Sequence, residues 1–390
     1  MRVLPFIFTL LKFCGVWQPK GWSSGWKKNV YWMYTWLVIV AVYTFCVSET
    51  VHAFQCVNLE DMANSLFMPL TMACAVCKAG NIIKGRQDII RFINILKNDN
   101  CRPSGLDEAK MLEKFDESIK QTILWYLAMV GTSVGTLSTS SFFIDVPRRT
   151  LPFDAWIPFN YTTPLCFWSA YLHQIFAHGF GAAIGTTYDI LLCGLISQAC
   201  GQLRILKFRF EFMTHAIVDQ INNGKELNHE ENVQDVENKI LAKRIDQHRD
   251  IFTFATSVNE AFSIVIFMQC AVSTFVLCIS IYTLSRMKEF TTKFIFVVVY
   301  TSCMLIQIFI YCWFGNEIIL ESKDVGNAAY AMDWTQLSIR SQKKLIVIMV
   351  RSLEPMRFTS GNIILSLDTF ISLLKLSYSA FHLLQQTSEE

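Results

Sequence analysis

The chain has 390 residues, of which 52% are apolar and only 17% charged, whereas a soluble protein carries about a quarter charged residues. Its 31 Phe and 10 Trp suit helices anchored by aromatic rings at membrane interfaces. The net charge of +2 comes without the clustered basic face of a nucleic-acid binder, and the composition describes an all-α, polytopic membrane protein.

The N-terminal segment, 1–29, opens with a short apolar run, 3–11, between Arg2 and Lys12. No small-residue cleavage site follows it, so it reads as a retained interfacial helix held by Phe6, Phe13, Trp17, Trp22 and Trp26. Apolar spans are predicted at 30–47, 62–77, 123–144, 165–201, 261–284 and 294–315, and a last at 363–384 makes seven, at about 20 residues per crossing. The second is short, with Lys78 snorkelling from its end. The fourth, at 37 residues, makes about 55 Å of helix. Either Gly181, Gly185 and Gly201 bend it or it runs on beyond the bilayer. Two spans joined by a tight turn is the alternative, but neither Pro nor a charge cluster marks one.

Counting Lys and Arg between spans gives 28 on the N-terminal side against five on the other. The positive-inside rule then puts the N-terminus inside and, with seven spans, the C-terminus outside. Asn160-Tyr161-Thr162 is the sole acceptor sequon in the chain, and it falls in an outer connection, as glycosylation of Asn160 requires. Cys56 and Cys166 lie near predicted outer ends, where a pairing is open to them; the other cysteines read mostly as small residues of membrane helices.

Between spans four and five, 221–232 reads as a loop. From Val233 apolar residues recur at helical spacing (Val236, Ile240, Leu241, Ile245) and lead into span five. With 207–213 and 334–353 this makes an inner helical layer, either a packing surface between subunits or a solvated face. Span six closes on Gln307 to Glu317, a polar connection follows at 321–330, and a basic-flanked helix at 334–353 is too short to cross. Pro355 and Gly361 then break the chain. The last span carries Asp368, Ser372, Lys375, Ser379, His382 and Gln386 on one stripe, which in lipid must face protein or water.

No phosphate-cradling glycine loop, His-Glu-x-x-His or serine elbow is present. Cys74-x-x-Cys77 has no second pair to complete a metal site. His173 and His178 stand about 140° apart round a helix, a poor metal pair. Neither an enzyme nor a cofactor is expected.

Tyr311-Cys312-Trp313-Phe314-Gly315-Asn316-Glu317, then Ser322, Ala328-Ala329-Tyr330 and Trp334, resembles the C-terminal signature of insect odorant receptors. So do Ser366-Leu367-Asp368-Thr369-Phe370 and Lys375-Leu376-Ser377-Tyr378-Ser379, and upstream Ile245-Asp246-Gln247-His248 and the run from Gln269 to Cys278. The match is specific in this C-terminal part and diffuse before it.

The resemblance implies an odour-tuning subunit of an odorant-gated, non-selective cation channel, a heterotetramer with the shared odorant receptor coreceptor in the dendrite plasma membrane of olfactory sensory neurons. Its partners would be a small volatile, membrane lipid and the permeating cations. The last helix of each subunit would line the pore. Phe381, Leu384 and Gln385 then fall at the gate, and Lys375 and His382 in the vestibule. Phe381 is bulkier than the aliphatic gate residue expected, which a coreceptor with a smaller gate residue would offset. An apolar ligand cavity is implied in the outer half of spans two, three, four and six. Those levels hold Phe67, Met68, Thr71 and Met72; Gly135, Ser138, Thr139 and Phe142; Tyr171, Ile175 and His178; and Phe294, Val297 and Val298.

The resulting domains are 1–29; spans one to four with the ligand side, 30–201; an inner extension, 202–253; spans five and six, 254–320; an anchor helix, 321–355; and the pore helix with the tail, 356–390. A G-protein-coupled receptor is the alternative from another class. Against it stand the inside N-terminus and the lack of Asp-Arg-Tyr after span three or Asn-Pro-x-x-Tyr in span seven. A gustatory receptor of the same superfamily would end on Thr-Tyr, three apolar residues and Gln-Phe, from which Ser377-Tyr378-Ser379-Ala380-Phe381 departs. A transporter would carry inverted repeats, and none is found.

Overall fold

A backbone in lipid must satisfy its own hydrogen bonds, and apolar runs therefore fold as helices. The computed structural model describes residues 3–22, 24–56, 59–223, 229–286 and 292–389. Among them are α1 (Val3–Phe13), α2 (Trp26–Gln55), α3 (Leu59–Lys84), α4 (Arg86–Leu96), α5 (Leu106–Arg148) and α6 (Pro164–Glu211). There follow α7 (Met213–Asn223), α8 (His229–Arg286), α9 (Thr292–Ala331), α10 (Ile339–Ser352) and α11 (Leu367–Glu389). Six of these, α2, α3, α5, α6, α8 and α9, are long and apolar enough to cross a membrane. The seventh expected span, α11, has 23 residues, and Asp368, Lys375 and His382 set it apart from the six.

The centre of the bundle is α6. In its most apolar stretch 72% of residues are buried, against 6% in α5, so that stretch of α6 is surrounded by protein while α5 lies at the periphery. It is one continuous helix of 48 residues, about 72 Å long, and no glycine interrupts it.

The N-terminal helix is not interfacial on its apolar face. Leu4, Ile7 and Leu11 are buried in the main core beside α6, with Ile7 packed directly over Gly194. Trp17 is buried as well, its ring 4.7 Å from Phe8 and under the Arg86 guanidinium. Only Phe13, Trp22 and Trp26 of the expected aromatic anchors remain exposed.

At the end of the bundle distal to the 149–163 connection, polar groups join the helices in pairs. Arg209 of α6 donates to Glu108 of α5 at 2.8 and 2.9 Å and to Gln247 of α8 at 2.7 Å. Glu321 of α9 takes Arg204 at 2.7 Å and Lys207 at 2.6 Å. These partners explain why 321–330, expected as a polar connection, continues α9 as helix. Glu237 of α8 accepts from the hydroxyls of Ser338 and Ser341 at 2.6 and 3.0 Å, fixing the start of α10. Residues 221–223 and 229–232 of the expected loop are also helical, as the ends of α7 and α8, while 224–228 lie outside the described residues.

The break after α10 is a small antiparallel hairpin, β1 (Thr359–Ser360) with β2 (Ile363–Ile364), paired Thr359 to Ile364 and Ser360 to Ile363. Its turn holds Gly361 at φ 57°, the left-handed region open to glycine. Ile363 and Ile364, assigned by sequence to the last helix, therefore belong to β2, and α11 starts at Leu367. The hairpin leads into Leu365, which is fully buried against α9 at Gly315. A Cβ at 315 would stand 2.4 Å from both the Cβ and the carbonyl oxygen of Leu365, and main chain cannot swing aside. Gly315→Ala is expected to destabilise the protein by about 1–3 kcal/mol, measured as a lower unfolding midpoint of the detergent-purified chain; an unchanged midpoint would show that this contact is loose.

Candidate functional site

Among α3, α5, α6 and α9, closed below by Gln269 of α8, lies a cavity of about 100 Å³, several times the room that one water needs. Its walls are mainly apolar: Met68, Met72 and Ala75 of α3; Val130, Val134 and Leu137 of α5; Phe296 and Met304 of α9. At one end stands His178 of α6, 7% exposed, its ring 4.8 Å from that of Phe153. Phe153 belongs to the 149–163 connection, which is sewn to the bundle. Its N–H donates to Gln174 Oε1 and its carbonyl accepts from Gln174 Nε2, both at 3.2 Å. Farther along the connection, the Trp156 N–H donates to the Ser48 carbonyl at 3.0 Å.

The other end is a buried charge centre. Asp189 of α6 takes the Lys78 ammonium at 2.5 Å, the Tyr311 hydroxyl at 2.5 Å, the Tyr126 hydroxyl at 3.2 Å and the Gln307 amide. Gln307 in turn accepts from Gln269 at 2.9 Å. Lys78 is 1% exposed, so it does not snorkel. Its partner lies on a neighbouring helix, where an ion pair with its remaining lone pairs satisfied can be held away from water. Lys78, Tyr126, Gln269 and Gln307 all line the cavity, so its polar floor is the outer surface of this centre.

Of the residues assigned to a ligand cavity by sequence, Met68, Thr71, Met72 and His178 line this one. Phe67 backs it, its ring 5.3 Å from that of lining Tyr300. Tyr171 is buried and Ile175 half-buried nearer the start of α6, and Val297 is buried and Phe294 half-buried nearer the start of α9; these four do not line it. Gly135, Thr139, Phe142 and Val298 are exposed, and half-buried Ser138 donates to the Val134 carbonyl at 2.9 Å. The cavity lies one to two turns deeper along α5 than expected, drawn toward the charge centre. Sequence reasoning missed Lys78, Asp189, Tyr126, Gln269 and Gln307 as a group. The signal was there, since an aspartate inside an apolar run marks a polar partner elsewhere in the bundle.

On α11, Asp368, Ser372, Lys375, Ser379 and His382 are exposed, and neither Asp368 nor Lys375 has an ion pair among the described residues. Phe381 is half-buried, its ring 6.2 Å from Tyr378. The side chains of Leu384 and Gln385 lie outside the described residues. Asn160 is exposed in the 149–163 connection, its Oδ1 accepting from the Thr162 N–H at 3.1 Å. Cys56 and Cys166 are free thiols, and Cys56 faces Ser65 at 3.7 Å. No group of residues able to hold a metal ion occurs among the described residues.

Helices long enough to cross a membrane, a mainly apolar cavity with a polar floor and a last helix with an exposed polar stripe define a multi-pass membrane receptor. The chain belongs to the 7tm odorant receptor family, whose model matches residues 58–378. It is similar to odorant receptor Or1 of Anopheles gambiae, 23% identical over 97% of this chain and 94% of that protein. It is similar as well to odorant receptor 46a, isoform A, of Drosophila melanogaster, 23% identical over 91% and 90%. Its fold is that of the insect olfactory receptor OR5 from Machilis hrabei, solved in complex with eugenol, with a TM-score of 0.77 at 17% identity over 98% of this chain and 97% of that one.

Replacing Asp189 leaves Lys78 buried without its counter-charge. Asp189→Asn is expected to cost about 3–5 kcal/mol, and the double variant Lys78→Met/Asp189→Asn to recover part of that loss. Heating the detergent-purified variants and following the monodisperse fraction gives the comparison. Additive losses would mean that the two groups do not act as a pair.

Proposed function

We propose that this chain is the odour-tuning subunit of an odorant-gated, non-selective cation channel, assembled as a heterotetramer with the shared coreceptor in the dendrite plasma membrane of olfactory sensory neurons. The observation that carries this reading is that α9 serves both the cavity and α11. Phe296, Tyr300, Cys303, Met304 and Gln307 face the cavity. Within the next turns of the same helix, Phe309 meets Phe370 edge-on at 5.5 Å, Ile308 and Cys312 form with Leu277 of α8 the cluster against which Leu373 packs, and Gly315 seats Leu365. A volatile that binds one placement of α9 more tightly than another moves α11 with it, by differential affinity alone.

The exposed stripe of α11 suits the wall of a wet pore, since such groups in a membrane face water or protein. In the assembled channel, Phe381, Leu384 and Gln385 form the gate, with Lys375 and His382 in the vestibule. Met68, Thr71, Met72 and His178 contact the ligand. The charge asymmetry puts the N-terminus and the Arg209 and Glu321 end inside, and glycosylated Asn160 outside. The eugenol complex of the Machilis hrabei receptor supports a small, largely apolar ligand.

In outside-out patches from cells expressing the chain with the coreceptor, and without nucleotides, a volatile panel is expected to evoke prompt cation current that needs both chains. Current restored only by GTP would overturn the reading. The size of the cavity is open to a separate test. A Cβ on Gly181 would come within 2.6 Å of the Met72 sulfur, turning that flexible side chain into the cavity. Gly181→Ala should raise the half-maximal concentration of the bulkier active volatiles by about tenfold and leave the smallest little changed. A uniform change across sizes would exclude Met72 as the boundary.

A further inference from the structure

Most of the polar side chains that line the cavity are engaged within the protein. Lys78, Tyr126 and Gln307 turn to Asp189, and Gln269 to Gln307. Thr71 donates to the Met68 carbonyl at 2.8 Å and accepts from Tyr300 at 3.3 Å, and Thr186 donates to the Ala182 carbonyl at 2.8 Å. His178 is not so engaged. It lines the cavity at 7% exposure, and among the described residues its imidazole has no hydrogen-bond partner, the Nδ1 being sealed from solvent as well. The ring is held in place by Phe153, which Gln174 and Phe45 fix in turn.

A buried polar atom left unsatisfied is costly, and native proteins rarely leave one so. A ring nitrogen is either an N–H donor or a lone-pair acceptor, depending on tautomer. It can thus serve a carbonyl or ether oxygen in one form and a hydroxyl in either. The positive charge of Lys78 is matched by Asp189, so the cavity offers no excess charge to an acid or an amine. The remaining lining is methionine, aromatic and aliphatic.

Resting on the receptor reading above, we infer that His178 is the specificity-determining contact of the cavity, and that the ligand is a neutral, mainly apolar molecule with one oxygen function seated at the Phe153 end. A hydrocarbon of the same shape covers His178 without serving it and binds more weakly. Ketones and ethers against alcohols tell which tautomer the site presents.

The test uses shape-matched pairs with and without oxygen: acetophenone with α-methylstyrene, anisole with ethylbenzene, benzyl alcohol with ethylbenzene. Binding is read as ligand-induced thermal stabilisation of the full chain in nanodiscs, so the result does not depend on channel gating. In the natural chain at least one oxygenated member should bind about tenfold or more tighter than its hydrocarbon partner. His178→Leu should abolish that preference by weakening the oxygenated member while leaving the hydrocarbon unchanged or tighter, which also reports that the variant is folded. His178→Gln should keep part of the preference. Equal binding within every pair, stabilisation by no member, or a preference that survives His178→Leu overturns the inference. Failure of the channel reading would instead appear in the patch recording, as current that depends on GTP.

Discussion

The carboxylate of Asp189 and the ammonium of Lys78 are both nearly sealed from solvent, and an ion withdrawn from water costs several kcal/mol even after the surroundings relax. That cost is offset only if the pair is close and the remaining lone pairs find donors. Asp189 meets the condition with four partners on three other helices, Lys78 on α3, Tyr126 on α5, and Gln307 and Tyr311 on α9. Each of those helices is thereby held in register with α6. The cavity walls belong to the same four helices, so the shape of the cavity follows from how this one carboxylate is satisfied.

A second constraint acts along α9. Its 40 residues run past the cavity, the charge centre, the seat of Leu365 at Gly315 and the Arg204 and Lys207 contacts of Glu321. A helix held at so many levels moves as a unit, because packed elements have discrete arrangements and do not deform continuously. The hairpin between α10 and α11 rests on α8, through Asn259 and Ser263, whereas Leu365 just beyond it and α10 pack on α9, so the entry to α11 is tied to both helices.

Much of the helix plan was legible because a membrane span is written locally: an apolar run of sufficient length needs no tertiary knowledge to be read. The break at Pro355 and Gly361, the helix beginning near Val233 and the polar stripe of α11 were legible for the same reason. What escaped was non-local. Lys78 and Asp189 are 111 positions apart, and at the end of a short span a lysine looks the same whether it snorkels or pairs. The stretch 321–330 has the composition of a loop until Arg204 and Lys207 supply its counter-charges. Ile363 and Ile364 have the composition of a span, and only the turn at Gly361 takes them into a strand. On α5, periodicity could suggest a face, but the level at which the cavity opens is decided by the pairing of Tyr126 with a carboxylate on another helix. That is why Val130, Ser133, Val134 and Leu137 line it while Gly135, Thr139 and Phe142 do not.

The outward stripe of α11 bears on how the protein is made. A lone copy that held α11 across a bilayer would bring mid-helix Lys375 against hydrocarbon, at a cost of about 2.5–3.5 kcal/mol for a charge near the membrane centre, with Asp368 in the first turn of the same helix. Before it meets other subunits, that helix therefore has a reason to ride at the membrane surface or to stay incompletely inserted. Within the channel proposed above, insertion of the last helix and assembly of the subunits would be one event, and a cell that retains proteins with unsettled helices would export only assembled complexes.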